Sequence, residues 1–334
     1  MQLAGGLDAR EDARHRFHSR RSFPGLVLGC FPGLPVRRFP GLPFRSSLPQ
    51  APPGREALRG PGGQVNPVPL RNIWTRGALA RAQGTLACGG ILVIAILTDF
   101  GQSEYLGIMK GVILRHAPRA VICDLYNEVE AQSVREGAWV LYTAYRHFPE
   151  GTVFLCVVDP GVGSDRQALA VRTQRYYFVG PDNGLMYPAM VDDGIVEAVE
   201  LPVPPGASNT FHGRDVFAPA AAKLEAGAAL SDLGRPTEVK VPLTFHLRGR
   251  EGEIVRVDRF GNIITNLPHT GQHEYRLSVE SYRRVLPFVR TYAEAPRGQL
   301  FVIEGSAGTL EISLRNGSAW SVMDVPVGGR IVLE

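Results

Sequence analysis

The sequence predicts an α/β protein in two parts: an N-terminal domain with a parallel-type central sheet flanked by helices, then a small all-β barrel. Three observations predict it. From Ile91 onward, short apolar runs alternate with segments of helical periodicity. That alternation stops near residue 236. Beyond it come only short strand-like runs separated by glycine turns. The expected organisation is a leader over 1–90, an α/β domain over 91–240 and a β-barrel domain over 241–334.

The leader is rich in Arg, Pro and Gly and repeats Phe-Pro-Gly-Leu at 23–26, 31–34 and 39–42. Such composition breaks helices and carries no strand periodicity, so disorder is expected, or a start codon placed too early. Acids such as Asp8, Glu11 and Asp12, together with its prolines, argue against a transit peptide. Residues 1–91 hold 13 Arg, no Lys and 4 acids, a net of about +9. The remaining residues hold 23 basic and 28 acidic side chains, a net of about −5. The basic character therefore belongs to the leader, and no nucleic-acid partner is expected for the folded part.

Ile91–Thr98 reads as a core strand ending at Asp99-Phe100-Gly101. Ser103–Arg115 carries an apolar helical stripe, and Pro118 follows it. Ala120–Leu125 is a second strand, and Ser133 is expected to cap a helix whose Val134, Ala138, Leu141 and Tyr145 share one face. Thr152–Val158 is a third strand. Short connections between these elements imply right-handed crossovers in a parallel sheet. A hairpin over 168–179, a glycine-rich turn at Gly180–Gly184 and a strand near Ile195–Leu201 come next. A helix from Pro219 to Ala226 stops at Gly227. In the barrel, strands are expected at Ile254–Val257, Ile263–Asn266, Tyr275–Val279, Leu300–Ile303, Leu310–Leu314 and Arg330–Leu333.

Four cysteines, Cys30, Cys88, Cys123 and Cys156, lack metal-ligand spacing, so no metal site is expected. Cys123 and Cys156 lie in apolar runs and read as buried thiols of a reducing compartment, consistent with a cytoplasmic protein. No uncharged apolar run reaches 18 residues, so no membrane span is expected.

The chemistry concentrates at strand ends. In an open parallel sheet, ligands bind beyond the carboxyl ends of the strands, where Asp99, Asp124 and Asp159 fall. Val153–Val158 is apolar throughout and halts at Asp159-Pro160-Gly161. A carboxylate ending a buried strand costs several kcal/mol unless it is paired. Arg166, beyond a glycine turn, is the candidate partner, although the same residues would also suit a surface turn. His212 enters a helix within Thr210-Phe211-His212-Gly213-Arg214-Asp215, a dense polar cluster. Asp99, followed by Phe-Gly, is placed to accept both hydroxyls of a ribose, whereas Asp124 serves equally as a turn residue. Gly180–Gly184 lacks the Lys-Ser/Thr of a phosphate-binding loop.

Leu97–Gly101, Met109-Lys110-Gly111, Val157–Gly163 with Arg166, Gly180–Gly184, Phe211–Asp215 and Asp258-Arg259-Phe260-Gly261-Asn262 occur in an order that resembles one family. It is the S-adenosylmethionine (SAM) hydroxide adenosyltransferases, the former DUF62 group, relatives of the SAM-dependent fluorinase and chlorinase. The resemblance covers about residues 92–334. It implies an N-terminal α/β domain, a C-terminal barrel, and a homotrimer with SAM between one subunit's N-terminal domain and the next subunit's barrel. It implies hydrolysis of SAM to adenosine and L-methionine by attack of water or hydroxide at the ribose C5′, with no cofactor. The family's triad maps onto Asp159, Arg166 and His212. Asp99 would hold the ribose hydroxyls, and Asp258 and Asn262 would contact the methionine end with Phe260 packed nearby. Ser313, Arg315 and Ala319 would meet adenine. Taken as ordinary residues, Phe260 would be core packing and Arg315 a solvated strand position. Two departures border the site: Tyr126-Asn127-Glu128 stands where the family commonly has Thr-His-Glu, and Ser133 stands where it has Asp. A halogenase of the same fold and a non-catalytic SAM- or adenosine-binding protein are the alternative readings.

Overall fold

A computed structural model describes residues 93–334. The leader and its Phe-Pro-Gly-Leu repeats, Cys30, Cys88 and the first two residues of the expected opening strand lie outside the described residues.

The α/β part runs β1 (Val93–Thr98), α1 (Glu104–His116), β2 (Val121–Tyr126), α2 (Val134–Ala144), β3 (Val153–Val157), β4 (Ala168–Thr173), β5 (Tyr177–Pro181), α3 (Tyr187–Asp193), β6 (Ile195–Glu200), α4 (Ala218–Glu225) and β7 (Arg235–Pro236). Its sheet order is β2-β1-β3-β5-β4-β6-β7. β2, β1, β3 and β5 are parallel neighbours, whereas β4, β6 and β7 add as antiparallel strands beyond them. The inner parallel strands β1 and β3 read as unbroken apolar runs because both faces are covered, whereas the edge strand β2 carries Asp124. Ile94, Ile96, Val153, Leu155 and Val157 pack with Met109 and Ile113 of α1 and Ala218 and Ala221 of α4. Ala95, Leu97, Phe154, Cys156 and Val158 pack on the other face with Leu141 of α2, Tyr145 and Leu185.

The barrel comprises β8 (Glu251–Val257), β9 (Ile263–Pro268), β10 (Glu274–Val279), β11 (Tyr282–Val289), β12 (Leu300–Glu304), β13 (Thr309–Leu314) and β14 (Arg330–Leu333), with a short helix α5 (Ala319–Met323). The strands close in the order β10-β11-β12-β13-β9-β8-β14, around Ile254, Ile263, Leu277, Val302, Ile312 and Ile331. Closure removes the open edges that seven short strands would otherwise expose. Two adjacent residues of α2 tie the barrel on. Arg135 Nη2 donates to Glu253 at 2.8 Å, and Arg256 Nε lies 3.2 Å from Glu136.

The structure corrects several details. β11 escapes the period-two pattern because Arg283, Arg284 and Val285 are successive exposed residues and Pro287 lacks an N–H. The seven-residue α3, with Pro188 in its first turn, is too short to show helical periodicity. Ser133 occupies the N-cap of α2, but its side chain makes no cap bond; its carbonyl accepts from Gly137 N at 3.1 Å instead. Cys156 is buried, and burial pushes its thiol pKa up, while Cys123 is half-buried on the sheet's outermost strand β2.

Candidate active site

β3 delivers Asp159 just past its carboxyl end, and the Pro160–Gly163 turn folds Arg166 back onto it. Arg166 Nε donates to Asp159 Oδ1 at 3.0 Å, and its Nη2 donates to Oδ2 to complete a two-point fork. The side chains are 9% and 6% exposed. The guanidinium lies over the Phe217 ring, 5.3 Å from its centroid. The buried carboxylate is therefore paired, and the surface-turn reading is excluded.

His212 reaches the same point from the loop before α4. Its Nδ1 lies 2.9 Å from Arg166 Nη2. A guanidinium only donates, so Nδ1 holds a lone pair and the neutral ring carries its hydrogen on Nε2. Burial first, then the Arg166 charge, holds His212 below its ordinary value, opposed by Asp159 and Asp215. The two loops touch at their backbones. Gly163 has φ +77°, and a Cβ there would sit 2.4 Å from the Asn209 carbonyl oxygen. Only glycine permits that approach at that dihedral. Asp215 accepts from Ser208 N at 2.9 Å, closing the loop around Phe211 and His212, and Arg214 holds its pKa below the usual carboxylate value. A five-residue π turn, Gly213–Phe217, then leads into α4.

Sequence reasoning missed the brace behind Asp159. Asn183 Nδ2 donates to the Val158 carbonyl at 2.8 Å, and its Oδ1 accepts from Leu185 N at 3.1 Å. Asp182 accepts from Lys240 N and Val241 N. The polar groups of the Gly180–Gly184 turn are thus bonded to the protein's own backbone. Spacing drew attention to the turn, but a contact 25 residues away left no local signal.

Asp99 lies past β1, and its Oδ2 accepts from Gln132 N at 2.8 Å. Asn127 staples the same corner: Thr98 Oγ1 donates to its Oδ1 at 3.0 Å, and Gly101 N donates to its carbonyl at 2.7 Å. Tyr126 packs under Arg256, whose guanidinium carbon lies 4.5 Å from the ring centroid. Tyr126 and Asn127 are thus each held by contacts of their own, Asn127 at the corner that carries Asp99 and Tyr126 against the barrel's Arg256. Asp124, in contrast, pairs with Lys110 at 2.7 Å.

The barrel residues form a second group. Asp258 Oδ1 accepts from Phe260 N and Asn262 N, both at 2.9 Å, and its Oδ2 accepts from Asn262 Nδ2 at 2.9 Å. Phe260, at the tip of this β8–β9 turn, is 70% exposed, so the core-packing reading fails. Trp320 N donates to Gly261 O at 3.0 Å, bringing Ala319 and the start of α5 against the turn. Ser313 is fully buried with its Oγ 3.5 Å from Tyr292 Oη. Arg315 donates to the carbonyls of Ala293 and Ala295 at 3.2 and 3.0 Å, so it braces a loop rather than simply facing solvent. A cleft of about 1000 Å³ separates the 126–136 segment from Asp258, Phe260, Ser318 and Trp320, and none of Asp159, Arg166 or His212 lines it.

The family described as SAM hydroxide adenosyltransferase N-terminal domain matches residues 94–234, and its C-terminal domain matches residues 252–332. An (R)-S-adenosyl-L-methionine hydrolase of Thermus thermophilus is 39% identical, over 70% of this chain and 96% of its own length. One from Salinispora arenicola is 38% identical, over 71% of this chain and 96% of its own. A crystal structure of an uncharacterized conserved protein from Thermotoga maritima superposes with a TM-score of 0.68 at 36% identity. It covers 72% of this chain and 100% of that one. Fluorinases are more distant, an Actinoplanes example being 26% identical over 68% of this chain and 92% of its own. With both domains matched in order over the α/β sheet and the closed barrel, the chain belongs to the S-adenosylmethionine hydroxide adenosyltransferase family.

Proposed function

We propose that this chain hydrolyses S-adenosyl-L-methionine to adenosine and L-methionine by attack of water at the ribose C5′. The observation that carries the reading is the convergence of Asp159, Arg166 and His212 beyond β3, with Arg166 bonded to both of the others and little of any of them open to solvent. Displacement at C5′ needs an oxygen nucleophile in line with the C–S bond. The positive sulfonium already leaves easily, so no acid, metal or cofactor has to activate methionine. What remains is to place the water and to favour its hydroxide character. Arg166 supplies positive charge at the attacking oxygen, and Asp159 and His212 supply its hydrogen-bond partners. Holding the reactants in a dry site lowers the barrier by several kcal/mol.

Asp99 serves the ribose diol, sharing Oδ2 with Gln132 N. Asp258, Asn262 and Phe260 serve the methionine end, and Ser313, Arg315 and Ala319 the adenine. These barrel residues stand apart from the triad within one chain, which supports a homotrimer in which a neighbour's barrel completes each site. The enzyme works in the cytoplasm and binds no nucleic acid through its folded part. Among the described residues no helix is long and apolar enough to cross a membrane.

The fluorinase relatives make halide transfer the second reading. The Asp159 carboxylate would repel a halide at the point of attack, which favours water. Incubating the purified protein with SAM, with and without chloride, and identifying the products by chromatography and mass spectrometry tests the proposal. Adenosine and methionine in equal amounts, independent of chloride, are expected. A 5′-halogenated nucleoside would move the chain to the halogenases, and bound but unchanged SAM would make it a non-catalytic binder.

A further inference from the structure

We propose that Glu136 is a positioning residue for ribose recognition: it holds the Glu130–Ser133 turn, whose Gln132 N–H orients Asp99. The inference rests on the hydrolase reading above, in which Asp99 serves the ribose diol, and adds a residue to it.

Among the described residues Gln132 N is the one hydrogen-bond donor to Asp99, at 2.8 Å on Oδ2. Oδ1 accepts no bond there, so the direction in which it meets a diol is set by that single N–H. Gln132 N belongs to a tight turn, closed by Ser133 N donating to the Glu130 carbonyl at 2.9 Å. In that turn Gln132 has φ +66°, a left-handed conformation that residues other than glycine and asparagine rarely adopt. Backbone at such a dihedral persists only where its surroundings over-determine it.

Glu136 supplies that hold. It is 4% exposed, and its Oε2 accepts from Glu130 N at 2.9 Å. A glutamate at the third position of a helix ordinarily reaches back to the N-cap N–H, here that of Ser133. Glu136 reaches past the cap to the first residue of the turn, so its bond is spent on the turn rather than on α2. From the barrel, Arg256 Nε lies 3.2 Å from Glu136, and the same guanidinium covers the Tyr126 ring where this segment begins. That contact is one of charge, since Arg256 Nε makes no aligned hydrogen bond. The neighbouring pair Arg135–Glu253 also joins α2 to β8, but neither residue bonds to the turn. Attachment of the barrel and placement of Asp99 can therefore be separated.

Calorimetric binding of adenosine and 2′-deoxyadenosine to the full-length chain tests this without requiring turnover. A hydroxyl bonded to a carboxylate should make the deoxy compound bind the wild type about tenfold to a hundredfold more weakly, and Asp99→Ala should erase that gap. Glu136→Ala should shrink it to less than about threefold. Glu136→Gln, which keeps an acceptor for Glu130 N, should hold it within about twofold of wild type. Arg135→Lys, the control on domain attachment, should leave it unchanged. If Glu136→Ala does not fold, Glu136→Met with Arg256→Met removes acceptor and cation together, an exchange that buried ion pairs often tolerate, and reads the same gap. A merely structural loss weakens both nucleosides equally. A gap kept at the wild-type value in Glu136→Ala or the double variant, not restored in Glu136→Gln, or lost equally in Arg135→Lys, overturns the proposal. A wild type that does not distinguish the two nucleosides, or a gap that survives in Asp99→Ala, would sink the ribose role of Asp99 instead, and the positioning role with it.

Discussion

Asp159, Arg166 and His212 are each almost out of solvent, and the cation sits between the other two. That order makes Arg166 the organiser. Its planar fork fits Asp159 at two points while Nη2 also reaches His212, a geometry that an ammonium cannot reproduce. Arg166→Lys keeps the charge but loses the fork. Steady-state assays should show kcat/KM falling by about a hundredfold to a thousandfold. Activity within a few-fold of wild type would mean that charge alone suffices. Asp159 and its partner Arg166 were legible in the sequence because a buried strand does not end in a carboxylate without reason, whereas His212 stood out by its polar cluster and was joined to them only through the family resemblance. Their roles were not, because the Nδ1 contact that sets the histidine tautomer joins residues 46 positions apart.

Elements carry the next level. The apolar run of β3, the helical stripes of α1 and α2 and the glycine turns of the barrel could be read directly, because burial on one or both faces imposes a period. β11 and α3 could not. In β11, solvent accepts three successive exposed side chains, and α3 is too brief for periodicity to emerge. Strand β13 offers a test at this scale. On its outer face Glu311 is pushed up from 4.5 to about 6, first by burial and then by Asp258. An acid whose folded pKa is raised binds protons more readily in the native state, so the Glu311 contribution to stability is greatest below about pH 4.5. It declines between about 4.5 and 6 and is level above that range. Allowing for solvent screening, the decline amounts to about 1 kcal/mol. Urea unfolding at several pH values should show that slope in the wild type and not in Glu311→Gln. The variant should also be the more stable of the two at pH 7. Parallel profiles for the two proteins would contradict the assignment.

At the scale of the molecule, the sequence announced an α/β domain and a barrel but not how they meet. The crossed pairs Arg135–Glu253 and Glu136–Arg256 join consecutive residues of α2 to β8, and neither pairing shows in a local pattern. The antiparallel extension of the sheet beyond β5 was only half visible, through the β4–β5 hairpin. The exposed Phe260, the barrel group around it and the cleft beside the 126–136 segment stand apart from the triad. A site completed by a neighbour's barrel requires an oligomer. Light scattering at assay concentration should return a trimer mass, and activity should fall on dilution with that mass. A monomer of full activity would contradict the shared site.

In the proposed reaction water attacks C5′ and expels methionine. Single-turnover reaction with SAM in ¹⁸O-enriched water, read by mass spectrometry of the nucleoside, tests it most directly. Adenosine with one ¹⁸O in its 5′-hydroxyl, alongside unlabelled methionine, is expected. Unlabelled adenosine, or a nucleoside that keeps its sulfur, would contradict it.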